Sequence, residues 1–257
     1  MSEYINKEAT FCWLDLATTD TVGAKKYYKE IFGWDIMDIP VGEGQVYTML
    51  NLNGKPVAAL SEMQEEQRKM NFPPYWSSYI AVDDINVTLD KVQANGGTVV
   101  VPPMEVMEEG LLAFATDPDG AYIGFWQKKN MQGFTYVGEH GSACWFEAGC
   151  KDRNKSIPFY ENVLGWKSET RQMESVVYTT FVLGEGVVAG LYELGEQMKD
   201  VPSHWLPYFG ISNIDTAVEK TMNLGGNVLM PKLHVKDVGY FAVLQDPQGA
   251  VFGVLEV

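Results

Sequence analysis

Two carboxylates stand where they could do chemistry. Asp15 lies in the segment FCWLDLA (11–17) and Glu147 in ACWFEAG (143–149), each two positions after a tryptophan, Trp13 and Trp145. In a strand, that spacing sets acid and ring on one face. Such a face can anchor a ligand by a hydrogen bond. With its proton affinity raised by burial, the acid can also act as a general base. An acid paired with a nearby lysine or backbone amide is the competing structural reading.

Further aromatic side chains are candidates to line the same site: Trp76 and Tyr79, their counterparts Trp205 and Tyr208, and Tyr122 with Trp126. Rings of this kind fill cores and also serve as platforms for flat ligands. The chain has three histidines, His140, His204 and His234. Of these, only His204 lies near the other candidates. Cys12 and Cys144 alternate away from the tryptophan face and read as small buried hydrophobes, with no neighbouring histidine to activate them. There is no Ser-His-Asp arrangement, no P-loop and no GxGxxG opening a helix. The GEG segments 42–44 and 184–186 read as hairpin turns.

The two acids match because the chain is written twice. Residues 11–34 align with 143–166 at an offset of 132, pairing Cys12-Trp13 with Cys144-Trp145, Tyr28 with Tyr160 and Gly33-Trp34 with Gly165-Trp166. Residues 74–127 align with 203–256 at an offset of 129, pairing Trp76, Tyr79, Gly96-Gly97, Asp117-Pro118 and Gly124 with Trp205, Tyr208, Gly225-Gly226, Asp246-Pro247 and Gly253. Conserved spacing of Trp, Gly and Pro over such lengths is the mark of a duplication. The boundaries follow as 1–127 for the first domain, 128–141 for a linker and 142–257 for the second.

Each copy alternates strand and helix signals. The stretch 11–17 reads as a strand. Asp20 caps a helix whose apolar face holds Val22, Tyr28, Ile31 and Phe32, and Gly33 stops it. Strands follow near 34–39, 45–52 and 56–60, then a loop rich in Glu, Gln and Pro (62–74). The pattern recurs with a strand at 79–82, an Asp84-capped helix over 85–95, a strand at 98–101 and a hairpin of 111–116 with 121–126 around DPDG. Each domain is therefore βαβββ twice, an α+β fold. In the second copy Pro158 falls inside the helical stretch, which predicts a later start, with Ser156 as cap and Pro158 in the first turn.

The chain carries 19 basic and 34 acidic residues, a net charge of −15 over 257 residues. That charge disfavours nucleic acid and anionic membranes as partners. No apolar run reaches the ~20 residues of a membrane span. Three cysteines do not make a disulfide framework, and the polar N-terminus shows no signal peptide. These features predict a cytoplasmic protein, monomer or homodimer, whose partner is a small molecule.

Paired βαβββ units, each pair carrying in order a capped helix, G-W, a second helix, G-G and a trailing D-P-x-G-A-x-x-G strand, resemble the vicinal oxygen chelate superfamily. That superfamily includes glyoxalase I, the bleomycin-resistance proteins and the extradiol dioxygenases. The likeness runs from about residue 9 to 257, and the G-x-W-Q ending of the first copy matches the two-domain glyoxalase-like branch. It implies that each domain curls an eight-stranded mixed sheet into an open cup, with helices outside. It also implies a divalent metal held by four residues. Carried over, those positions fall on Trp13, near Leu60, Ser77 and Gly124, and on Trp145, near Leu191, Leu206 and Gly253. None offers a ligand side chain, so the expectation is a binding protein without metal or other cofactor. A metal-dependent lyase, isomerase or dioxygenase with other ligands is the alternative, as is a cofactor-free enzyme using Asp15 or Glu147 as base.

Overall fold

A computed structural model describes residues 5–42, 44–173, 176–236 and 238–257. The first half contains β1 (Phe11–Thr18), α1 (Thr21–Phe32), β2 (Asp35–Gly42), β3 (Gln45–Leu52), β4 (Lys55–Glu62), α2 (Glu65–Lys69), β5 (Tyr75–Ala81), α3 (Ile85–Ala94), β6 (Thr98–Val106), β7 (Gly110–Thr116) and β8 (Tyr122–Lys128). The second contains β9 (Ala143–Cys150), α4 (Arg153–Leu164), β10 (Lys167–Met173), β11 (Val176–Leu183), β12 (Gly186–Glu193), β13 (His204–Ile211), α5 (Ile214–Asn223), β14 (Asn227–Val235), β15 (Gly239–Gln245) and β16 (Val251–Glu256). Hydrogen bonding orders the strands as β2-β3-β4-β1-β5-β8-β7-β6 and as β10-β11-β12-β9-β13-β16-β15-β14, two mixed eight-stranded sheets of identical topology. This is the tandem α+β fold expected from the repeat.

Local chemistry sets the element ends. The Asp20 carboxylate accepts the Gly23 N–H to start α1, and Gly33 closes it in the left-handed region at φ 73°, where a Cβ would be strained. Val22 is 76% exposed, so the buried face of α1 is Ala24, Tyr27, Tyr28, Ile31 and Phe32 instead of one that includes Val22. The 62–74 segment, read as a loop, contains the short helix α2. Helix α4 does not start late: Asp152 caps it, accepting from Asn154 N–H at 3.0 Å, and Pro158 lies within the helix. Proline is tolerated there because Pro158 is on the exposed side, where water can serve the Asn154 carbonyl that its ring leaves without a donor. Ser156 has other work, described below. Gly184 turns at φ 62° between β11 and β12. The 42–44 turn centres on Glu43, outside the described residues.

Packing divides the chain into two compact units. One gathers the segment ending at Trp13 with Ser78–Gly133 and Trp145–Leu206; the other gathers Leu14–Ser77, Phe134–Cys144 and Pro207–Val257.

The first unit is organised around a buried relay of three side chains. Trp205 Nε1–H donates to the Tyr160 hydroxyl at 2.8 Å, and that hydroxyl donates to Asp117 Oδ2 at 3.1 Å. Ser156 Oγ donates to the same oxygen at 2.9 Å, while Oδ1 accepts the N–H groups of Asp119 and Ala121. The second unit repeats the design. Trp76 donates to Tyr28 at 3.0 Å, Tyr28 donates to Asp246 Oδ2 at 3.0 Å, and Oδ1 accepts from Gln248, Gly249 and Ala250. Both aspartates and both tyrosines are buried. Burial pushes the carboxyls of Asp117 and Asp246 above the usual range, and the hydrogen bonds they accept pull the other way. The tryptophans of the G-W pairs are tied likewise, Trp166 to the Ala9 carbonyl and Trp34 to the Gly141 carbonyl.

Each relay tyrosine both accepts and donates, so removing its hydroxyl strands an indole N–H and deprives the aspartate of a donor. Tyr160→Phe and Tyr28→Phe are each expected to cost about 1–3 kcal/mol. In thermal unfolding this lowers the melting temperature by about 2–4 °C per kcal/mol for a chain of this size. Tyr136→Phe, whose exposed hydroxyl bonds Glu139, serves as the control and leaves the melting temperature unchanged.

Candidate functional site

The relays decide which strand faces remain open. Trp205 and Trp76 point from β13 and β5 toward helices α4 and α1, so these two candidates are core side chains of the relay face. Their neighbours one residue away, His204 on β13 and Tyr75 and Ser77 on β5, point to the opposite side. The same alternation runs along β9. Cys144, Phe146, Ala148 and Cys150 are buried, whereas Trp145 and Glu147 are half-buried. Cys12, Cys144 and Cys150 are all buried, and none is in a disulfide. Burial raises the thiols of Cys144 and Cys150, the latter to about 12, which leaves them inert as nucleophiles.

On the open face of the first unit, Glu147 meets a tyrosine that the sequence reading did not single out. Tyr178, from β11, donates its hydroxyl to Glu147 Oε1 at 2.7 Å and accepts Trp145 Nε1–H at 3.1 Å. Strands β9 and β12 pair in parallel with Glu147 opposite Gly190, and β11 and β12 pair antiparallel with Tyr178 opposite Tyr192. The Tyr178 ring passes directly over Gly190: a Cβ there would fall 2.6 Å from Tyr178 Cζ and closer still to its hydroxyl. Burial, then the Glu147 charge, push the Tyr178 and Tyr192 hydroxyls well above the ordinary tyrosine range. His204 approaches the same strand, its Cε1 2.9 Å from where a Gly149 Cβ would stand.

The second unit holds the matching pair. Tyr47 of β3 donates to Asp15 Oδ1 at 2.7 Å, and Asp15 lies opposite Ala59 of β4. Tyr75 adds a hydroxyl that accepts from Gln67 at 2.7 Å; it is raised chiefly by burial, and the nearby Asp15 adds to the shift. Trp13, the last residue of β1 that packs with the first unit, is buried. Tyr47 and Tyr178 could have been found in the sequence, since they stand at matching places in the repeat, VYTML and VYTTF.

The remaining aromatic candidates pack on the other strand quartets, where Tyr79, Trp126 and Tyr208 are buried and Tyr122 is half-buried. Tyr79 lies over Gly124 of β8, where a Cβ would come within 2.6 Å of its ring, and it packs against Phe114, which stacks on Tyr122. Tyr208 covers Gly253 of β16 in the same way. Trp126 donates to the Met131 carbonyl at 3.1 Å. His140 accepts the Ser212 N–H at 3.1 Å, and His234 packs against Tyr240. Among the described residues, no three His, Cys, Asp or Glu side chains converge to hold a metal ion.

Comparison with known proteins puts these features in context. The family model described as Glyoxalase/Bleomycin resistance protein/Dioxygenase superfamily matches residues 10–125 and again 145–254. CFP32 of Mycobacterium tuberculosis, provisionally named a glyoxylase, is 39% identical over 257 residues, spanning 99% of this chain and 97% of its own. The anthracycline biosynthesis protein DnrV of Streptomyces peucetius is 30% identical over 255 residues, spanning 95% and 92%. Among solved structures, the Mn(II)-bound glyoxalase of Novosphingobium aromaticivorans superposes with a TM-score of 0.66 at 13% identity, over 96% of this chain and 82% of that one. The 2,2',3-trihydroxybiphenyl 1,2-dioxygenase of Sphingomonas wittichii gives 0.66 at 15% identity, over 97% and 90%.

The two pairs differ in a compensated way: a short acid beside alanine (Asp15, Ala59) and a long acid beside glycine (Glu147, Gly190). Gly190→Ala is expected to overpack the second pair and destabilise the protein by about 1–3 kcal/mol. Adding Glu147→Asp, which recreates the first pair's combination, is expected to recover part of that loss in a double-mutant cycle of denaturant unfolding. Strict additivity of the two changes would show that the acid and the glycine are not coupled.

Proposed function

The chain belongs to the glyoxalase/bleomycin resistance protein/dioxygenase superfamily, and from that premise we propose that it binds a small, partly apolar molecule against the open faces of its strands. The polar anchor is a carboxylate–tyrosine pair in each half, in place of a metal ion. The observation that carries this reading is the pair itself, Asp15 with Tyr47 and Glu147 with Tyr178, repeated at 2.7 Å on half-exposed faces of strands whose other faces are buried. Aromatic rings beside these acids supply apolar walls, and a half-buried carboxylate–hydroxyl pair gives orientation.

A divalent ion at the family's positions does not fit the side chains present. Trp13, Leu60, Ser77 and Gly124 in the first half, and Trp145, Leu191, Leu206 and Gly253 in the second, bring no imidazole or carboxylate. The final-strand positions have moreover been given over to packing, since the Tyr79 and Tyr208 rings take the space a side chain at Gly124 or Gly253 would need. A second reading rests on the same pairs: Glu147 or Asp15 acts as a base on the bound molecule, with the tyrosine hydroxyl holding the acid in place. Buried cysteines outside any disulfide suit a reducing, cytoplasmic setting.

The test uses a neutral fluorescent probe, N-phenyl-1-naphthylamine, titrated into the full chain. Saturable binding is expected, weakened about fivefold or more in Glu147→Gln combined with Asp15→Asn. Undiminished affinity in that variant would contradict the carboxylate anchor. If a substrate is found, turnover lost in Glu147→Gln with its affinity retained would favour the enzyme reading over simple binding.

A further inference from the structure

One group of side chains in the second half has no counterpart in the first. Strand β12 (GVVAGLYE) carries Tyr192 where β4 (KPVAALSE) carries Ser61, and β13 opens on His204 where β5 opens on Tyr75. Tyr192 and His204 meet beside Gly149: the Tyr192 hydroxyl is 3.3 Å, and His204 Cε1 2.9 Å, from the place a Gly149 side chain would take. We propose that Tyr192 and His204 form a receptor for one uncharged hydroxyl group, carried on an aromatic or enolic frame. This rests on the ligand-binding reading above and names the chemistry of its polar end.

The hydrogen-bond arithmetic selects the group. His204 Nδ1 lies 2.8 Å from the Pro202 carbonyl, which can only accept, so Nδ1 carries the proton. Burial lowers the imidazole's proton affinity, which keeps the ring neutral and leaves Nε2 a bare acceptor. The Tyr192 hydroxyl is held protonated by burial and by the charge on Glu147, and so remains a donor. Among the described residues, neither Nε2 nor that hydroxyl has a hydrogen-bond partner. A ligand hydroxyl satisfies both at once, donating to Nε2 and accepting from Tyr192. A carbonyl gives Nε2 nothing, and an ammonium leaves the Tyr192 proton unused. A carboxylate or phenolate can accept from Tyr192 but cannot donate to Nε2, and is repelled by Glu147. Trp145, half-buried and bonded to Tyr178, supplies the flat wall.

In the first half the corresponding Tyr75 hydroxyl already accepts from Gln67, and Ser61 is too short to replace Tyr192. The two copies would therefore divide labour, with the hydroxyl receptor belonging to the second alone.

The test compares 4-nitrophenol with its methyl ether, 4-nitroanisole, on the full chain at a pH near the phenol's own pKa, where yellow phenolate and colourless phenol coexist. Binding is expected to bleach the yellow colour, because only the protonated form fits, and the ether is expected to bind about tenfold more weakly. Tyr192→Phe, which removes only the hydroxyl, and His204→Gln are each expected to bring the phenol down to the affinity of the ether. Deepening of the yellow on binding, or phenol and ether binding equally in wild type and variants, would overturn the hydroxyl receptor while leaving the apolar-ligand reading standing. Failure of both probes to bind would overturn the two together.

Discussion

A carboxylate buried beneath a tyrosine and a tryptophan is the constraint from which the rest of this structure follows. Asp117 and Asp246 each sit at a D-P-x-G turn with the carboxylate almost sealed from water. Such a group is costly unless every lone pair is served. The turn's own amides take one oxygen and a helix tyrosine takes the other, and the tyrosine in turn accepts the indole N–H of a strand tryptophan. Turn, helix and strand are thereby fixed against one another in each compact unit. Because the tryptophan commits one face of its strand to this network, the residues on either side of it are turned to the opposite face. The placement of Tyr75, Ser77 and His204 follows from where Trp76 and Trp205 must go.

The repeat, the strand and helix order and the α+β class were legible in the sequence because they depend on local spacing: alternation in β1 and β9, caps at Asp20 and Asp84, glycine stops. The relay was not. D-P-D-G reads as a turn and Trp76 and Trp205 as ligand platforms, since nothing local shows that Tyr160 will reach back 43 residues to Asp117, or that Tyr28 will reach forward 218 to Asp246. Pro158 misled for a related reason. A helix start is predicted by local cost, but Ser156 is needed by Asp117, so Asp152 caps the helix as Asp20 does in the first copy. Asp15 and Glu147 were found from the tryptophan spacing, whereas their tyrosine partners lie on a different strand and needed the register of β3 and β11 to appear.

Duplication has preserved the scaffold more strictly than the chemistry on it. The relay, the G-W tethers and the glycines under Tyr79 and Tyr208 recur in both copies. On the open faces the copies diverge: aspartate beside alanine against glutamate beside glycine, serine against tyrosine, tyrosine against histidine. Packing tolerates little change, whereas a half-exposed face can vary once the strand beneath it is fixed. The glycines on the final strands belong to the first class. Each makes room for a ring, Tyr79 over Gly124 and Tyr208 over Gly253.

The central proposal, that carboxylate–tyrosine pairs anchor the ligand without a metal ion, is tested most directly by the metal content of the purified, untagged chain after dialysis against chelator. The account predicts far less than one manganese, iron, nickel or zinc per chain, with the unfolding temperature unchanged by the treatment. One or two tightly held ions per chain, or a melting temperature that falls on chelation and recovers with added metal, would contradict it.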